Sequence, residues 1–527
     1  MREGNWACLL ILLLLLCLEQ VLSVGQLMES SFSRDAFPPD FIFGAGTSAY
    51  QVEGAAAEDG RSPSLWDTFT HTGQMIDKST GDVACDGYHK YKEDVKLMAD
   101  TGLDSYRFSI SWSRLIPNGR GAVNLKGLQF YNNFINELVK YGIEPHVTLY
   151  HLDLPQVLED EYVGWLSPKI VDDFTAYANV CFTEFGDRIP RWTTIVEPNV
   201  IGMASYDSAI FPPARCSNPF GVINCTVGNS TIEPYIAVHN LLLAHASVVK
   251  LYRTKYQGVQ KGQIGLNLYA YWCYPWTDSA ADIEATQRTL DFNVGWILNP
   301  LVFGNYPEVM KKIVGSRLPS FTKYESKQLK DSFDYIGLNY YTSVYVKDNF
   351  NASMTGPRDF NTDVSVLLAR SRNETPGGQF DPTIPALIDP IGLQLLLEYF
   401  KDAYGNPPIF VEENGNGVAR KESEFNDTSK IDFLSGHISS ILDAIRNGAN
   451  VKGYFVWSFM DVFEFITGYQ SRYGLYFVNF DDENRERKPK LSAQWYSSFL
   501  KQKKKKKKKK KKKVEMRINK TDLVISL

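Results

Sequence analysis

Pro408-Ile409-Phe410-Val411-Glu412-Glu413-Asn414-Gly415 is an apolar run that ends in two carboxylates and an Asn-Gly pair. Its β-branched and aromatic residues predict a short buried strand, and Asn-Gly predicts the turn that ends it. Glu412 and Glu413 are then either surface residues at a strand end or residues at the mouth of a site, because burying negative charge is otherwise costly. In a parallel barrel, the C-terminal ends of the strands carry the chemistry.

A second stretch of the same form favours a site. Trp192-Thr193-Thr194-Ile195-Val196-Glu197-Pro198-Asn199 is another strand-like run broken by a turn, with a carboxylate at the break. Two carboxylates on separate strands are the pair that a glycosidase requires. We therefore interpret Glu197 and one of the adjacent pair Glu412 and Glu413 as candidate catalytic residues.

Strand-like runs recur along the chain, and most of them alternate with helical stretches. The predicted strands are 41–54, 105–112, 144–155, 192–197, 263–269, 333–342, 408–413 and 451–458. The predicted amphipathic helices are 89–101, 128–141, 168–185 and 235–256. Hydrophobicity in the strands is continuous rather than alternating, which indicates that both faces of the sheet are covered. The pattern predicts an α/β fold with eight parallel strands in a closed barrel. A long segment with little periodicity, 344–390, is expected to form part of the substrate entrance.

The two ends of the chain differ from its body. Arg2, an apolar run at 9–16 and the small residues 23–25 predict a secretory signal peptide at 1–25, too short to span a bilayer. Residues 503–513 are eleven lysines, and without them 45 basic residues face 60 acidic ones. An acidic body argues against nucleic acid as a partner. We assign no function to the lysine-rich tail at 501–527, which is expected to be disordered or an artefact of the sequence.

The cysteines and sequons agree with a secretory route. Cys216 and Cys225 lie in a loop-like stretch suited to a local disulfide, while Cys85, Cys181 and Cys273 are expected to be small buried residues. No cysteine pair has zinc-ligand spacing beside histidines, so neither a metal nor another cofactor is predicted. Candidate glycosylation sites are Asn224, Asn229, Asn351, Asn373, Asn426 and Asn519.

Four motifs in order resemble those of plant β-glucosidases of glycoside hydrolase family 1. They are the stretch 41–53, Leu152-Asp153-Leu154-Pro155-Gln156, Glu197-Pro198 and Glu413-Asn414-Gly415, within a region of about 37–499. The resemblance implies a single-domain (β/α)8 TIM barrel with long loops at the C-terminal face of its strands. It also implies a retaining β-glucosidase that hydrolyses small plant β-D-glucosides through a covalent glucosyl-enzyme intermediate. The expected partner is this small molecule, and no membrane association is expected once the leader is removed.

The resemblance assigns roles to the two carboxylates. Glu197 would be the acid/base and Glu413 the nucleophile, since Glu413 rather than Glu412 occupies the family position before Asn-Gly. The acid must stay protonated, so apolar neighbours and a facing carboxylate should raise its pKa. Arg107 and Tyr341 would keep Glu413 ionised. Glu412 is expected to point the other way, because neighbours on a strand alternate.

The sugar site follows from the same resemblance. A sugar needs short polar groups around its rim and an aromatic ring beneath, and Trp457 would be that ring. His151 alone could equally be a core histidine, but the end of a barrel strand favours a binding role. The implied substrate-binding residues are Gln51, His151, Tyr341, Trp457, Glu464, Phe465 and Tyr473, with Arg107, Asn339 and Val196 in support.

Two positions depart from the family pattern. Val196 replaces the usual Asn and cannot hydrogen-bond the sugar 2-hydroxyl, a contact that strengthens in the transition state. Phe465 replaces the usual Trp and loses an N–H donor. Hydrolysis is therefore expected to be slow, and two alternatives stay open. One is a transglucosidase that passes glucose to a phenol, alcohol or acid, and the other is a catalytically weakened glucoside-binding protein. The sequence leaves open the aglycone, the oligomeric state and the choice between the cell wall and the vacuole as the destination.

Overall fold

The computed structural model describes residues 32–350, 356–377, 387–419 and 425–502. The predicted leader, most of the lysine-rich tail and the sequons at Asn351 and Asn519 lie outside them. Asp40–Ser497 form one compact unit. The described residues before Asp40 and after Ser497 form a second unit. Within that unit, the Phe32 and Phe499 rings pack edge to face with centroids 5.9 Å apart.

The larger unit is built around a closed barrel of eight parallel strands in the order β1-β12-β10-β7-β5-β4-β3-β2. The strands of the described residues are β1 (Ile42–Gly46), β2 (Ser105–Ser109), β3 (Glu144–Tyr150), β4 (Arg191–Ile195), β5 (Gln263–Tyr269), β6 (Trp272–Pro275), β7 (Tyr335–Asn339), β8 (Ser343–Asp348), β9 (Val366–Ala369), β10 (Ile409–Asn414), β11 (Val418–Ala419), β12 (Val451–Trp457), β13 (Ser471–Arg472), β14 (Tyr476–Val478) and β15 (Arg487–Pro489). The predicted (β/α)8 fold is confirmed.

Aromatic side chains fill part of the barrel interior. Tyr335, Phe410 and Phe455 form a buried cluster against which Ile42 packs. Gly44 makes room for it, because a Cβ at this position would lie 2.5 Å from the Phe455 ring. Removing one such ring would cost about 3–5 kcal/mol of stability through lost burial and the cavity left behind.

Helices surround the barrel and connect its strands. The described α-helices are Ala49–Val52, Leu65–His71, Gly87–Thr101, Trp112–Leu115, Leu125–Lys140, Gln156–Tyr162, Lys169–Phe185, Pro198–Val200, Glu233–Leu251, Gln257–Gln260, Ala280–Leu290, Trp296–Phe303, Glu308–Val314, Lys323–Leu329, Phe360–Val364, Pro390–Tyr404 and Thr428–Arg446. Short 3₁₀ turns are Arg34–Ala36, Gly164–Leu166 and Gly315–Arg317, and π-helical turns are Ile201–Ser205, Tyr252–Tyr256 and Asp291–Gly295. The four predicted helices are present, and their ends differ from the predicted ones by at most three residues, with one exception. The fourth of these α-helices ends at Leu251, and the rest of its predicted length, Tyr252–Tyr256, forms a π-helical turn.

Several predicted strands are too long. The first ends at Gly46, and Ala49–Val52 form a helical turn instead. The second ends at Ser109, where the Ser111 hydroxyl accepts a hydrogen bond from the Arg114 main-chain N–H and starts a helix. Side-chain capping by serine therefore overrides the apolar pattern just after the barrel strand.

The segment 344–390 is more regular than predicted. It contains most of β8 and all of β9, which join β6 in a three-stranded sheet, and the helix Phe360–Val364. Parts of the segment, 351–355 and 378–386, lie outside the described residues. Cross-strand pairing between Tyr345 and Ala369 and the three pairs beside it orders what the sequence pattern suggested was a loop.

The cysteines behave as expected. Cys216 and Cys225 form a disulfide across nine positions, and Cys85, Cys181 and Cys273 are buried free thiols. Over the described ranges, no helix is both long and apolar enough to cross a membrane.

Candidate active site

Glu197 lies just beyond the C-terminal end of β4. Its backbone has φ +50°, a left-handed conformation that turns the chain sharply, and Pro198 begins a short helix directly after it. The Glu197 main-chain N–H donates to the carbonyl of Asn267 on β5 at 3.1 Å. The Asn339 side-chain amide donates to the Glu197 carboxylate at 2.7 Å. One strand therefore holds the backbone of Glu197 and the next one holds its carboxylate.

Glu413 lies near the C-terminal end of β10. Arg107 Nη1 donates to its carboxylate at 2.5 Å, and the Tyr341 hydroxyl donates to the other oxygen at 2.7 Å. His151 Nε2 lies 4.0 Å from the oxygen that Arg107 binds. Glu413 also pairs in register with Asn339, the residue that binds Glu197. The strand pairing thus brings both candidate catalytic carboxylates to one edge of the barrel.

The two carboxylates have different electrostatic surroundings. Burial, and then the charge of Glu413, raise the pKa of Glu197 to about 8. Burial also raises the pKa of Glu413, but Arg107 and the Tyr341 hydroxyl oppose this by stabilising its charged form. Because the charge of Glu413 opposes the ionisation of Glu197, we expect the pair to hold one proton at neutral pH. Because a cation binds Glu413 and a neutral amide binds Glu197, we expect that proton on Glu197.

Glu412 does not point away from Glu413. Both carboxylates contact Arg107, whose Nε lies 3.2 Å from Glu412. The expected alternation fails because β10 is irregular here, with its register shifting between Val411 and Glu413 against β7. Such a bulge adds a residue to one strand and turns the next side chain to the same side.

The predicted sugar-binding groups surround this edge. Gln51 is buried, accepts from the Ser48 hydroxyl at 2.6 Å and donates to the Phe463 carbonyl at 2.7 Å. The His151 ring lies 5.9 Å from the Trp457 ring, and its burial lowers the pKa of His151 well below the ordinary value. His151 is therefore neutral at physiological pH.

Glu464 is held close to Trp457. Burial raises the pKa of Glu464 to about 8, while a hydrogen bond from Trp457 acts in the opposite direction. Within the described residues, Glu464 Oε1 and His151 Nδ1 are buried without a hydrogen-bond partner. A buried polar atom left unpaired costs about 1–3 kcal/mol, so both atoms suit a polar ligand or water.

The remaining predicted residues lie nearby. Phe465 stacks on Trp66 with centroids 4.3 Å apart, and its ring centroid is 6.0 Å from that of His151. Tyr473 packs edge to face on Tyr341 at 6.3 Å. Val196 is fully buried, and its main-chain N–H donates to the Tyr150 carbonyl.

Sequence reasoning missed four residues that support the site. His146, Thr193 and Asn267 all contact Glu412 inside the barrel, and Trp66 supports Phe465. A usable signal was present for Asn267, since an amide inside the apolar run Ile264–Leu268 is unusual unless it has a buried partner. His146 and Thr193 carry no such signal, because their partner lies on a distant strand.

A closed parallel barrel with two buried carboxylates at the C-terminal ends of β4 and β10 is the arrangement of a glycosidase-type protein. The family described as Glycosyl hydrolase family 1 matches residues 33–505. The chain belongs to glycosyl hydrolase family 1.

Curated relatives and solved structures agree with this family. Beta-glucosidase 22 of Oryza sativa subsp. japonica is 62% identical over 473 residues, covering 89% of this chain and 88% of the relative. A cyanidin 3-O-glucoside 7-O-glucosyltransferase (acyl-glucose) of Delphinium grandiflorum is 55% identical over 502 residues, covering 94% of this chain and 97% of the relative. A rice β-glucosidase variant solved in a covalent complex with glucose is 42% identical and superposes with a TM-score of 0.85. The match covers 89% of this chain and 100% of the rice chain.

Proposed function

We propose that this glycosidase is a retaining β-glucosidase that hydrolyses small plant β-D-glucosides, with Glu413 as nucleophile and Glu197 as acid/base. The observation that carries the proposal is the unequal environment of the two carboxylates. Burial raises the pKa of both carboxylates, but Arg107 and Tyr341 stabilise the charged form of Glu413, whereas the neutral Asn339 amide binds Glu197. A retaining mechanism needs this division of one ionised and one protonated carboxylate.

In the first step, a Glu413 oxygen attacks the anomeric carbon and the bond to the aglycone oxygen breaks. Glu197 gives its proton to that oxygen, so the aglycone leaves as a neutral alcohol or phenol. The products of this step are a glucosyl ester on Glu413 and an ionised Glu197. Tyr341 donates to one Glu413 oxygen and can keep that hydrogen bond while the other oxygen reacts.

In the second step, Glu197 acts as a base. It takes a proton from water as the water oxygen attacks the anomeric carbon, and the ester bond to Glu413 breaks. Glucose leaves with the β configuration, Glu413 is again ionised and Glu197 again carries a proton. Two inversions at the anomeric carbon give net retention.

Relatives support both the activity and the intermediate. Rice Beta-glucosidase 22 carries this activity in its name, and the related rice β-glucosidase was captured with covalently bound glucose. For the sugar itself, we propose that Trp457 stacks on the glucose ring. The glucose hydroxyls and the rim of the ring would be contacted by Gln51, His151, Glu464 and Tyr473. Phe465 would lie at the edge of the sugar site.

Product stereochemistry tests this function. Proton NMR of the purified protein acting on an aryl β-glucoside should show the anomeric proton of β-glucose first, and that of α-glucose only after mutarotation. Initial α-glucose would overturn the retaining mechanism. The matched control is Glu413→Gln, which keeps the shape of the side chain and should release neither anomer.

Transfer to an acceptor is a second candidate, favoured by the Delphinium relative, which is named as a glucosyltransferase. Transfer would use the same first step and replace water with an acceptor hydroxyl in the second. Incubation with an activated glucoside and a panel of phenols, alcohols and acids separates the two. A hydrolase releases glucose in equal amount to the aglycone, whereas a transglucosidase shows a glucose deficit matched by new glucoside.

We also propose a secretory route, with 1–25 as leader, 37–499 as the barrel domain and 501–527 as a tail without function. Four sequons fall in the described residues: Asn224, Asn373 and Asn426 are exposed and Asn229 is half-buried. Secretion from plant cells followed by N-terminal sequencing and deglycosylation tests this proposal. A chain that starts at Met1 and does not change mass would contradict it.

A further inference from the structure

Glu412 is a fully buried carboxylate beneath the two catalytic candidates. Thr193 Oγ1 donates to its Oε1 at 2.8 Å, and His146 Nε2 lies 3.0 Å from the same oxygen. Asn267 Nδ2 donates to its Oε2 at 3.0 Å, and Arg107 Nε lies 3.2 Å from it. A buried charge is tolerated only when it is paired and hydrogen-bonded, and this one meets side chains from four different strands.

One chain of contacts runs from Glu412 to Glu413. Arg107 Nε forms an ion pair with Glu412 rather than a hydrogen bond, and Nη1 donates to Glu413, so two adjacent carboxylates share one guanidinium. The guanidinium is planar and rigid, so the ion pair at Nε also restricts the direction of Nη1. Sharing also divides the positive charge that stabilises the ionised form of Glu413.

A second chain of contacts runs from Glu412 to Glu197. Asn267 Nδ2 donates both to Glu412 and, at 2.7 Å, to Asn339 Oδ1. This sets the orientation of the Asn339 amide, whose Nδ2 then faces Glu197. Without Asn267, either end of the amide could face the carboxylate.

The backbone is arranged around the Glu412 side chain as well. A Cβ at Gly337 on β7 would lie 2.6–2.7 Å from the Glu412 carboxylate. Side chains that face Glu412 are the charged Arg107 and Glu413, the titratable His146 and Tyr335, and the neutral Thr193 and Asn267.

We infer that Glu412 is a positioning residue for both steps of the proposed reaction, acting on Glu413 through Arg107 and on Glu197 through Asn267 and Asn339. The inference rests on the proposed roles of Glu197 and Glu413. Its negative charge makes Glu413 a more basic nucleophile than Arg107 alone would allow, and its hydrogen bonds orient the donor to the acid.

The pH profile of kcat/KM tests the inference, because a merely structural residue would not move it. Glu412→Gln keeps the shape but removes the charge, so Arg107 should serve Glu413 alone. The acid limb of the profile, where Glu413 ionises, should then move to lower pH by about one unit. The value of kcat/KM should also fall by at least about tenfold, because Glu197 and Glu413 are no longer held in place. An unmoved acid limb in folded Glu412→Gln would overturn the inference.

A second variant and a control complete the test. Asn267→Ala removes the link between Glu412 and Asn339 together with one hydrogen bond to Glu412. The basic limb should therefore move to higher pH, and this variant keeps the inference testable if Glu412→Gln does not fold. Neither limb moving in Asn267→Ala would overturn that link. The control is Glu53→Gln, a buried carboxylate bound by Arg114 and Tyr131, which should leave both limbs unchanged. Covalent labelling of Glu413 in the unaltered protein checks the proposed function separately.

Discussion

The Asn339 amide donates a 2.7 Å hydrogen bond to the Glu197 carboxylate. Asn339 also pairs in register with Glu413, so a single residue on β7 touches one catalytic candidate and adjoins the other. A donor to a carboxylate favours its ionised form and lowers its pKa. Asn339 thus limits how far burial raises the pKa of the acid.

The pH dependence follows from this geometry. Glu197 must be protonated to donate, so activity should fall as pH rises through the raised pKa of Glu197, about 8. Removing the donor in Asn339→Ala should raise that pKa and move the basic limb of kcat/KM to higher pH. Measuring kcat/KM for aglycone release across pH detects the shift. A shift to lower pH would mean that Asn339 stabilises the protonated form instead.

Replacing the acid should separate the two steps. In Glu197→Gln, a substrate with a good leaving group still glycosylates Glu413, but no base activates water and the intermediate accumulates. Mass spectrometry of the intact protein should then show added glucosyl mass. Azide should restore turnover and yield β-glucosyl azide, whereas an α product would be inconsistent with the assigned role.

Val196 provides a test of transition-state binding. If a missing amide limits the reaction, Val196→Asn should raise the glycosylation rate by about tenfold, or roughly 1.4 kcal/mol. Since Val196 is fully buried, the alternative is that the pocket has no room or partner for an amide, which would then lower stability and activity together.

A double cycle separates these outcomes. The gain in kcat/KM should vanish on a 2-deoxyglucoside, which has no hydroxyl for the amide to bind. Equal effects of the substitution on both substrates would show that residue 196 does not act through the 2-hydroxyl.

The Cys216–Cys225 disulfide should stabilise the protein modestly. The bond closes a loop with a sequence separation of nine, for which the chain-entropy argument gives about 2–3 kcal/mol. Denaturant unfolding of Cys216→Ser/Cys225→Ser should show this loss, and unfolding of the unaltered protein in the presence of a reductant is the matched comparison. Non-reducing peptide mapping that finds Cys216 or Cys225 as a free thiol would contradict the bond itself.

Much of the fold could be predicted because the barrel strands are buried on both faces and read as continuous apolar runs. Ile264–Leu268 and Val451–Trp457 are of this kind. Strand ends were harder, since Ser111 and the turn at Ala49–Val52 act through local hydrogen bonds that apolar periodicity does not register. The sheet containing β8 and β9 depends on pairing across the chain, which no local pattern reveals.

The site was predictable only in its outline. The sequence motifs identified Glu197 and Glu413 as the candidate pair. The direction of the Glu412 side chain was predicted wrongly from strand alternation, because a bulge interrupts that alternation at Glu412. The contacts of His146 and Thr193 with Glu412 depend on barrel closure, which brings together residues more than two hundred positions apart. A single sequence contains no information on that proximity.

The central claim is that Glu413, and not its neighbour, attacks the sugar. Incubation with an activated 2-deoxy-2-fluoro-β-glucoside should trap the ester, and tandem mass spectrometry of the proteolysed protein can assign it to one residue. We predict the label on Glu413 and none on Glu412, with no labelling in Glu413→Gln. A label on Glu412 or Glu197, or undiminished turnover of an aryl glucoside by Glu413→Gln, would contradict the account.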